Sequence, residues 1–195
     1  MLLTTGIIET GYFHIERTDI KAEEVEISLA QKDPKAFEPL YLRYFERISH
    51  YVYHRVESKE IAFDLTANTF YNALSKLSSY KSKGLPFSAW LYRIAFNEVQ
   101  QHYRGTKTQG VLNTNNKGVS EIMDSLPENS YPINDEQLFE AIEQLKEQEI
   151  ELINMRFFEN RSFKEIADIL TIGESACKMK LYRILEKIKN SFTDK

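Results

Sequence analysis

Ser162-Phe163-Lys164-Glu165-Ile166-Ala167-Asp168-Ile169-Leu170 is followed by a short break and then by a second run, Glu174 to Asn190. Ser162 has the chemistry of a helix N-cap, and Glu165, three residues on, that of its capping-box partner. Ile166, Ala167 and Leu170 supply an apolar face to the first run. Cys177, Leu181, Ile184, Leu185 and Ile188 give the second run a stripe at helical steps. Two helices joined this closely predict a helix-turn-helix. The stripe leaves Glu174, Ser175, Lys178, Met179, Tyr182 and Arg183 turned outward with Lys180 flanking, which suits a helix lying in the major groove. Basic side chains there can meet phosphates or guanine edges. The same pattern also fits a hairpin in a helical bundle whose basic face is only solvated. Cys177, on the buried stripe, reads as a small core residue.

Working upstream, Trp90-Leu91-Tyr92-Arg93-Ile94-Ala95-Phe96-Asn97 lies in a helix from Phe87 to about Arg104, with its apolar side at Phe87, Leu91, Ile94, Ala95 and Val99. Proteins that hold unpaired strands combine positive charge with aromatic faces on which bases stack. Tyr80, Lys81, Lys83, Phe87, Trp90, Tyr92, Arg93, Phe96, His102, Tyr103 and Arg104 supply both, and Asn97, Gln100 and Gln101 add amides that can read a base edge. Phe87, Leu91 and Trp90 fit a core role better than a contact. His102 has no second His or Cys at ligand spacing, so no metal is expected.

Charge is segregated along the chain. Residues 76–107 carry Lys76, Lys81, Lys83, Arg93, Arg104 and Lys107 against Glu98 alone, and 171–195 carry six bases against Glu174, Glu186 and Asp194. Between them, residues 119–151 carry ten acids against Lys146, so the overall net charge of −4 hides two basic patches and an acidic zone. Hydrophobic residues at 42% and charged residues at 28% are an ordinary globular composition, and 195 residues allow one or two domains.

A single cysteine excludes a disulfide within the chain and fits a reducing compartment. No apolar run approaches the roughly 18 residues of a membrane span. Met1 to Tyr12 lacks the basic and apolar regions of a secretory signal, so a cytoplasmic protein without membrane insertion is expected.

Helical spacing predicts a short helix at 21–31, stopped near Asp33-Pro34. A stronger one follows through Phe37, Leu40, Tyr41, Tyr44, Phe45, Ile48, Tyr51 and Val52. After a Ser58 cap the next carries Ile61, Leu65, Phe70, Ala73, Leu74 and Leu77. Periodicity is lost after Gly105, and Gly, Asn and Pro mark a linker to about residue 134, too long for an ordinary loop inside a domain. Helices at about 135–146, 148–159, 162–170 and 173–191 follow. The expected fold is all-α: an extension at 1–20, a first domain at 21–104, a flexible linker at 105–134, and a helix-turn-helix domain at 135–195.

These two elements, in this order and at this separation, resemble the sigma-70 family of bacterial RNA polymerase sigma factors, specifically its small extracytoplasmic-function type. The resemblance covers roughly residues 22–104 and 135–192. Pro86-Phe87-Ser88-Ala89-Trp90-Leu91-Tyr92-Arg93-Ile94-Ala95-Phe96-Asn97 looks like the family's promoter-melting segment, and Asp33-Pro34-Lys35-Ala36-Phe37 with Tyr41 and Tyr44 is similar to its opening helix. Glu165-Ile166-Ala167 with the basic helix after it looks like the reader of the −35 element.

The resemblance implies roles by position. Tyr80, Lys81, Lys83, Trp90, Arg93, Asn97, Gln100, Gln101 and Arg104 would serve the −10 element and its single strand, with Asn97 and the loop from Tyr80 to Gly84 near a flipped base. Glu174, Ser175, Lys178, Met179, Lys180 and Arg183 would face the −35 duplex. Asp64, Leu65, Asn68 and Phe70 sit where family members bind the β′ clamp helices. It implies core RNA polymerase (β′ clamp helices and β flap), promoter DNA and an anti-sigma factor as partners, no cofactor, and no bond chemistry. The linker, with Glu121, Asp124, Glu128 and Asp135 against Lys117, would thread toward the polymerase's RNA path.

The chain departs from the family at Ala67 and Asn68, where many members carry Gln and Glu, and at Thr171, usually Gly. Cys177 and Met179 also depart, which points to an unusual −35 preference. A regulator that uses only the helix-turn-helix would not need the segment from Trp90 to Asn97. A helical enzyme would need paired acids, a metal cluster or a phosphate loop, and none is found in the sequence.

Overall fold

The computed structural model describes residues 17–104, 122, 125, 126 and 135–193; the expectations for residues 1–16 and for most of the linker lie outside these. All the regular elements among the described residues are helical, as the spacing predicts. The first domain holds α1 (Arg17–Ala30), a 3₁₀ turn (Pro34–Phe37), α2 (Glu38–Tyr53), α3 (Lys59–Lys76) and α4 (Phe87–His102). The second holds α5 (Asp135–Glu143), α6 (Glu147–Ile153), α7 (Phe163–Leu170) and α8 (Glu174–Thr193).

Local chemistry sets several boundaries. Asp33 accepts from the Lys35 N–H at 3.0 Å and Pro34 opens the 3₁₀ turn, so the chain leaves α1 and re-enters helix within a few residues. Ser58 accepts from the Ile61 N–H at 3.2 Å and starts α3. At α7 both halves of the capping box are made: Ser162 Oγ accepts from the Glu165 N–H at 3.2 Å, and Glu165 accepts from the Ser162 N–H at 3.0 Å.

The expected helix at 148–159 is not continuous. It narrows to α6 and then widens into a π-helical turn over Asn154–Phe158, where the Glu159 N–H reaches back five residues to the Asn154 carbonyl at 2.9 Å. Asn160 ends the turn in the left-handed region (φ 51°), which Asn tolerates better than most residues. The linker expectation also needs revision in part. Ile122 and Ser125 are helical, and Ile122 and Leu126 are buried. Tyr41 and Leu74, expected on apolar faces, lie at the surface.

The first core centres on Leu40, Tyr44, Ile48, Ala73, Phe87, Leu91 and Ala95; the second on Leu138, Ile142, Ile153, Ile166, Cys177 and Ile184. Each fully buried Leu, Ile or Phe contributes about 1.5–3 kcal/mol relative to exposure. The two cores are continuous, because α7 packs directly on α4.

Candidate nucleic-acid interface

The site on the first domain is built by α1 as much as by α4. Glu23, 3% exposed, accepts the Phe87 N–H at 2.7 Å and so closes the open N-terminus of α4, where Pro86 offers no capping side chain. Its other oxygen accepts from the Tyr44 hydroxyl, whose pKa is pushed up by burial and then by Glu23 itself. Gln31 donates to the carbonyls of Leu77 (3.0 Å) and Tyr80 (2.9 Å), and Ser82 donates to Glu24 at 2.6 Å. These bonds hold the loop from Tyr80 to Gly84 against α1. Gly84 turns it at φ 67° with open space around the missing side chain.

On that frame Tyr80, Phe87 and Trp90 form one aromatic cluster, with ring centroids 4.7–5.3 Å apart. Phe87 is buried, while Tyr80 and Trp90 are half-buried and keep an edge at the surface. Burial, and then Glu23, Asp168 and Glu24, push the Tyr80 phenol up to about 12, so it remains a donor at neutral pH. Lys81, Lys83, Asn97, Gln101 and Arg104 are exposed, and Arg93 and Gln100 half-exposed. Trp90, Arg93, Asn97 and Gln101 recur at steps of three and four, which places them along one side of α4 beside the loop, and Arg104 follows just past the helix end. The geometry offers a stacking edge, several amides and a row of cations.

The second site is α8. Glu174, Ser175, Lys178, Met179, Lys180 and Arg183 are all exposed, and so is Tyr182. Lys178 pairs with Glu174 at 2.7 Å across one helical turn, which raises its pKa, and it stands over the Phe163 ring at 5.6 Å. Cys177 is buried as expected, and burial pushes its thiol up, away from thiolate chemistry. Thr171, the first of three residues between the two helices, takes the left-handed conformation (φ 57°, ψ 43°).

On α3 the structure separates the four candidate residues. Asp64 and Asn68 are exposed, whereas Leu65 and Phe70 face inward, Phe70 against Tyr41 with ring centroids at 4.8 Å. Leu65 and Phe70 therefore support the helix and present nothing to a partner. The exposed apolar members of that face are Phe63 and Tyr71, at 67% and 71% exposure. Hydropathy spacing missed them, since an outward aromatic looks in sequence like a core residue out of step. Glu23 and Gln31 were missed too, for they look like ordinary polar residues of an amphipathic helix.

A two-domain helical protein with an aromatic, basic helix in one domain and a helix-turn-helix in the other is the class these elements define. Sigma-70 region 2 matches residues 40–108 and sigma-70 region 4 matches residues 135–188. RNA polymerase sigma factor YlaC of Bacillus subtilis is 30% identical over 165 residues, covering 83% of this chain and 95% of that protein. The ECF RNA polymerase sigma factor BldN of Streptomyces coelicolor is 30% identical over 161 residues, 82% of this chain; the match spans 61% of that longer relative. Among solved structures, CnrH in complex with the cytosolic domain of CnrY shares the fold at TM-score 0.57, with 18% identity over 89% of this chain and 98% of that one. The chain belongs to the sigma-70 family, in its extracytoplasmic-function group.

Proposed function

We propose that the chain is a bacterial transcription initiation factor that joins core RNA polymerase, recognises −35 and −10 promoter elements and stabilises the melted nontemplate strand. The observation that carries this reading is the side of α4 from Trp90 to Gln101, with Arg104 just past its end, set beside a loop that α1 holds in place. Extruding a base from a duplex costs a few kcal/mol, and a complementary pocket offsets that only for the right base. Tyr80 and Trp90 supply the stacking edge, Asn97 a reading amide, and Lys81, Lys83, Arg93 and Arg104 the charge for the strand. The exposed face of α8 would read the −35 duplex.

The exposed face of α3, with Phe63, Asp64, Asn68 and Tyr71, is the proposed contact with the β′ clamp helices, and the second domain the contact with the β flap. The domains are proposed at 21–104 and 135–195 with the linker between. No helix among the described residues is long and apolar enough to cross a membrane. An anti-sigma factor is a further proposed partner: RpoE of Bartonella quintana, 19% identical, was solved in complex with the anti-sigma factor NepR.

Reconstitution with core polymerase tests this. A promoter-specific transcript that requires the chain is expected, and co-purification with core polymerase. Absence of both would leave a helix-turn-helix regulator acting without polymerase. Asn97→Ala should alter −10 selectivity and leave core binding intact; loss of core binding instead would place Asn97 in another role.

A further inference from the structure

The face of the first domain proposed for the −10 strand is covered in part: the second domain reaches it at Lys83 and Arg93. Lys83 Nζ lies 2.6 Å from Asp168 Oδ1, and Arg93 Nη1 reaches the same oxygen at 4.0 Å. Asp168 belongs to α7, the first helix of the helix-turn-helix, so a carboxylate from one domain lies between two cations of the other. Nearby, four charges are buried across the domain boundary. Arg55, at the end of α2, donates from Nε to both oxygens of Glu151 at 3.1 Å and from Nη2 to Glu159. Tyr51 donates to Glu151 at 2.9 Å. From the other side Arg161 pairs with Glu159 at 2.7 Å and lies over the Tyr92 ring at 3.5 Å.

The charges are complementary across the boundary. The first domain gives Arg55; the second gives Glu151, Glu159 and Arg161, an excess of one negative charge. Burial alone would raise the Glu159 pKa, but Arg55 and Arg161 hold it below the usual carboxylate range, so that carboxylate stays charged at neutral pH. An ionic boundary can also open. All four groups regain hydration on separation, so desolvation offsets much of their attraction, whereas removing one partner from the closed state strands a buried charge.

The closed arrangement cannot be the promoter-reading one. Elements centred at −35 and −10 lie about 85 Å apart along B-DNA at about 3.4 Å per base pair. Here the helix-turn-helix touches α4 itself. The thirty residues from 105 to 134 span at most about 100 Å when fully extended, enough to bridge that distance.

We propose that the second domain is an internal inhibitor of the first, with Asp168 standing in for a strand phosphate on Lys83 and Arg93 and the Arg55–Glu151–Glu159–Arg161 cluster as the latch. This rests on the −10 role proposed for α4. The test uses the full chain without polymerase. A carbodiimide, which joins an amine to a carboxylate only in contact, should link Lys83 to Asp168 in the wild type. Arg55→Ala should abolish that link and raise the radius of gyration in small-angle scattering, since breaking a buried pair shifts an equilibrium by more than about a hundredfold.

Asp168→Asn, at the boundary's edge and safe for folding, should bind a fluorescent single-stranded oligonucleotide about two- to fivefold more tightly than wild type. Arg55→Ala should bind it more tightly still, with circular dichroism confirming that it is folded. An unlinked wild type, an Arg55→Ala chain as compact as wild type, or no gain in strand affinity for Asp168→Asn would each overturn the proposal. Failure of the sigma reading would show separately, as loss of promoter-specific transcription with core polymerase while the link and the scattering change persist.

Discussion

The two helices proposed to contact DNA, α4 and α8, are held in different ways. The start of α4 is closed by Glu23, which stands 64 residues earlier in the chain, and its neighbouring loop is tied down by Gln31, 46 and 49 residues from the carbonyls it binds. The helix-turn-helix of α8 is set by neighbours: Ser162 and Glu165 cap α7 across three residues, and Thr171 makes the turn. A single-strand pocket needs its base-stacking edge and amides fixed to within a fraction of an ångström, and long-range buried bonds supply that. A duplex reader needs a straight helix standing clear of its domain, which local signals can specify. The first site is partly covered, while the α8 side chains proposed for the −35 duplex are all exposed.

Removing Glu23 is the strongest way to break this comparison. Glu23→Ala leaves the buried Phe87 N–H and Tyr44 hydroxyl without their charged acceptor, a loss of about 3 kcal/mol, since bonds to charged groups contribute about 1.5–3 kcal/mol. Urea unfolding should show the midpoint falling with an unchanged slope. At temperatures where the variant is folded, −10 selectivity should fall while duplex binding by α8 is kept. Equal loss of both activities would mean that the two sites are not separately held.

Ser162→Ala is the matching local lesion and should be smaller, about 1 kcal/mol, the usual value of an N-cap. Its effect should fall on duplex affinity and leave selectivity at the −10 strand unchanged. A loss larger than that of Glu23→Ala would reverse the ranking of the two sites.

This difference also explains what could be read from the sequence. The helix-turn-helix was legible almost residue by residue, because caps, apolar stripe and turn are all encoded within thirty positions. The reading side of α4 was legible as composition, but its support was not. Glu23 sits in the run Glu23-Glu24-Val25-Glu26, yet the structure buries Glu23 and leaves Val25, the apolar residue of that run, 61% exposed. No local pattern announces that an acid will be used to cap a helix from another element. The π-helical turn at Asn154–Phe158 was not legible either; Glu159 and Arg161, just after it, find their partners Arg55 and Tyr92 in the other domain.

Thr171 gives the smallest effect and the sharpest one, because its sign separates local strain from function. A β-branched residue in the left-handed region is disfavoured by about 1–2 kcal/mol, and Gly carries no such penalty. Gly also widens the unfolded ensemble, which offsets about 0.4–1 kcal/mol of the relief. Thr171→Gly should therefore stabilise the chain by about 0.5 kcal/mol, raise the unfolding midpoint slightly and leave α8 in place, since the turn is already in the conformation Gly prefers. Because the backbone does not move, duplex affinity should be unchanged. Destabilisation by this substitution would show that the exposed Thr171 side chain makes a contact that outweighs its strain, and that the turn, like the start of α4, is held from outside itself.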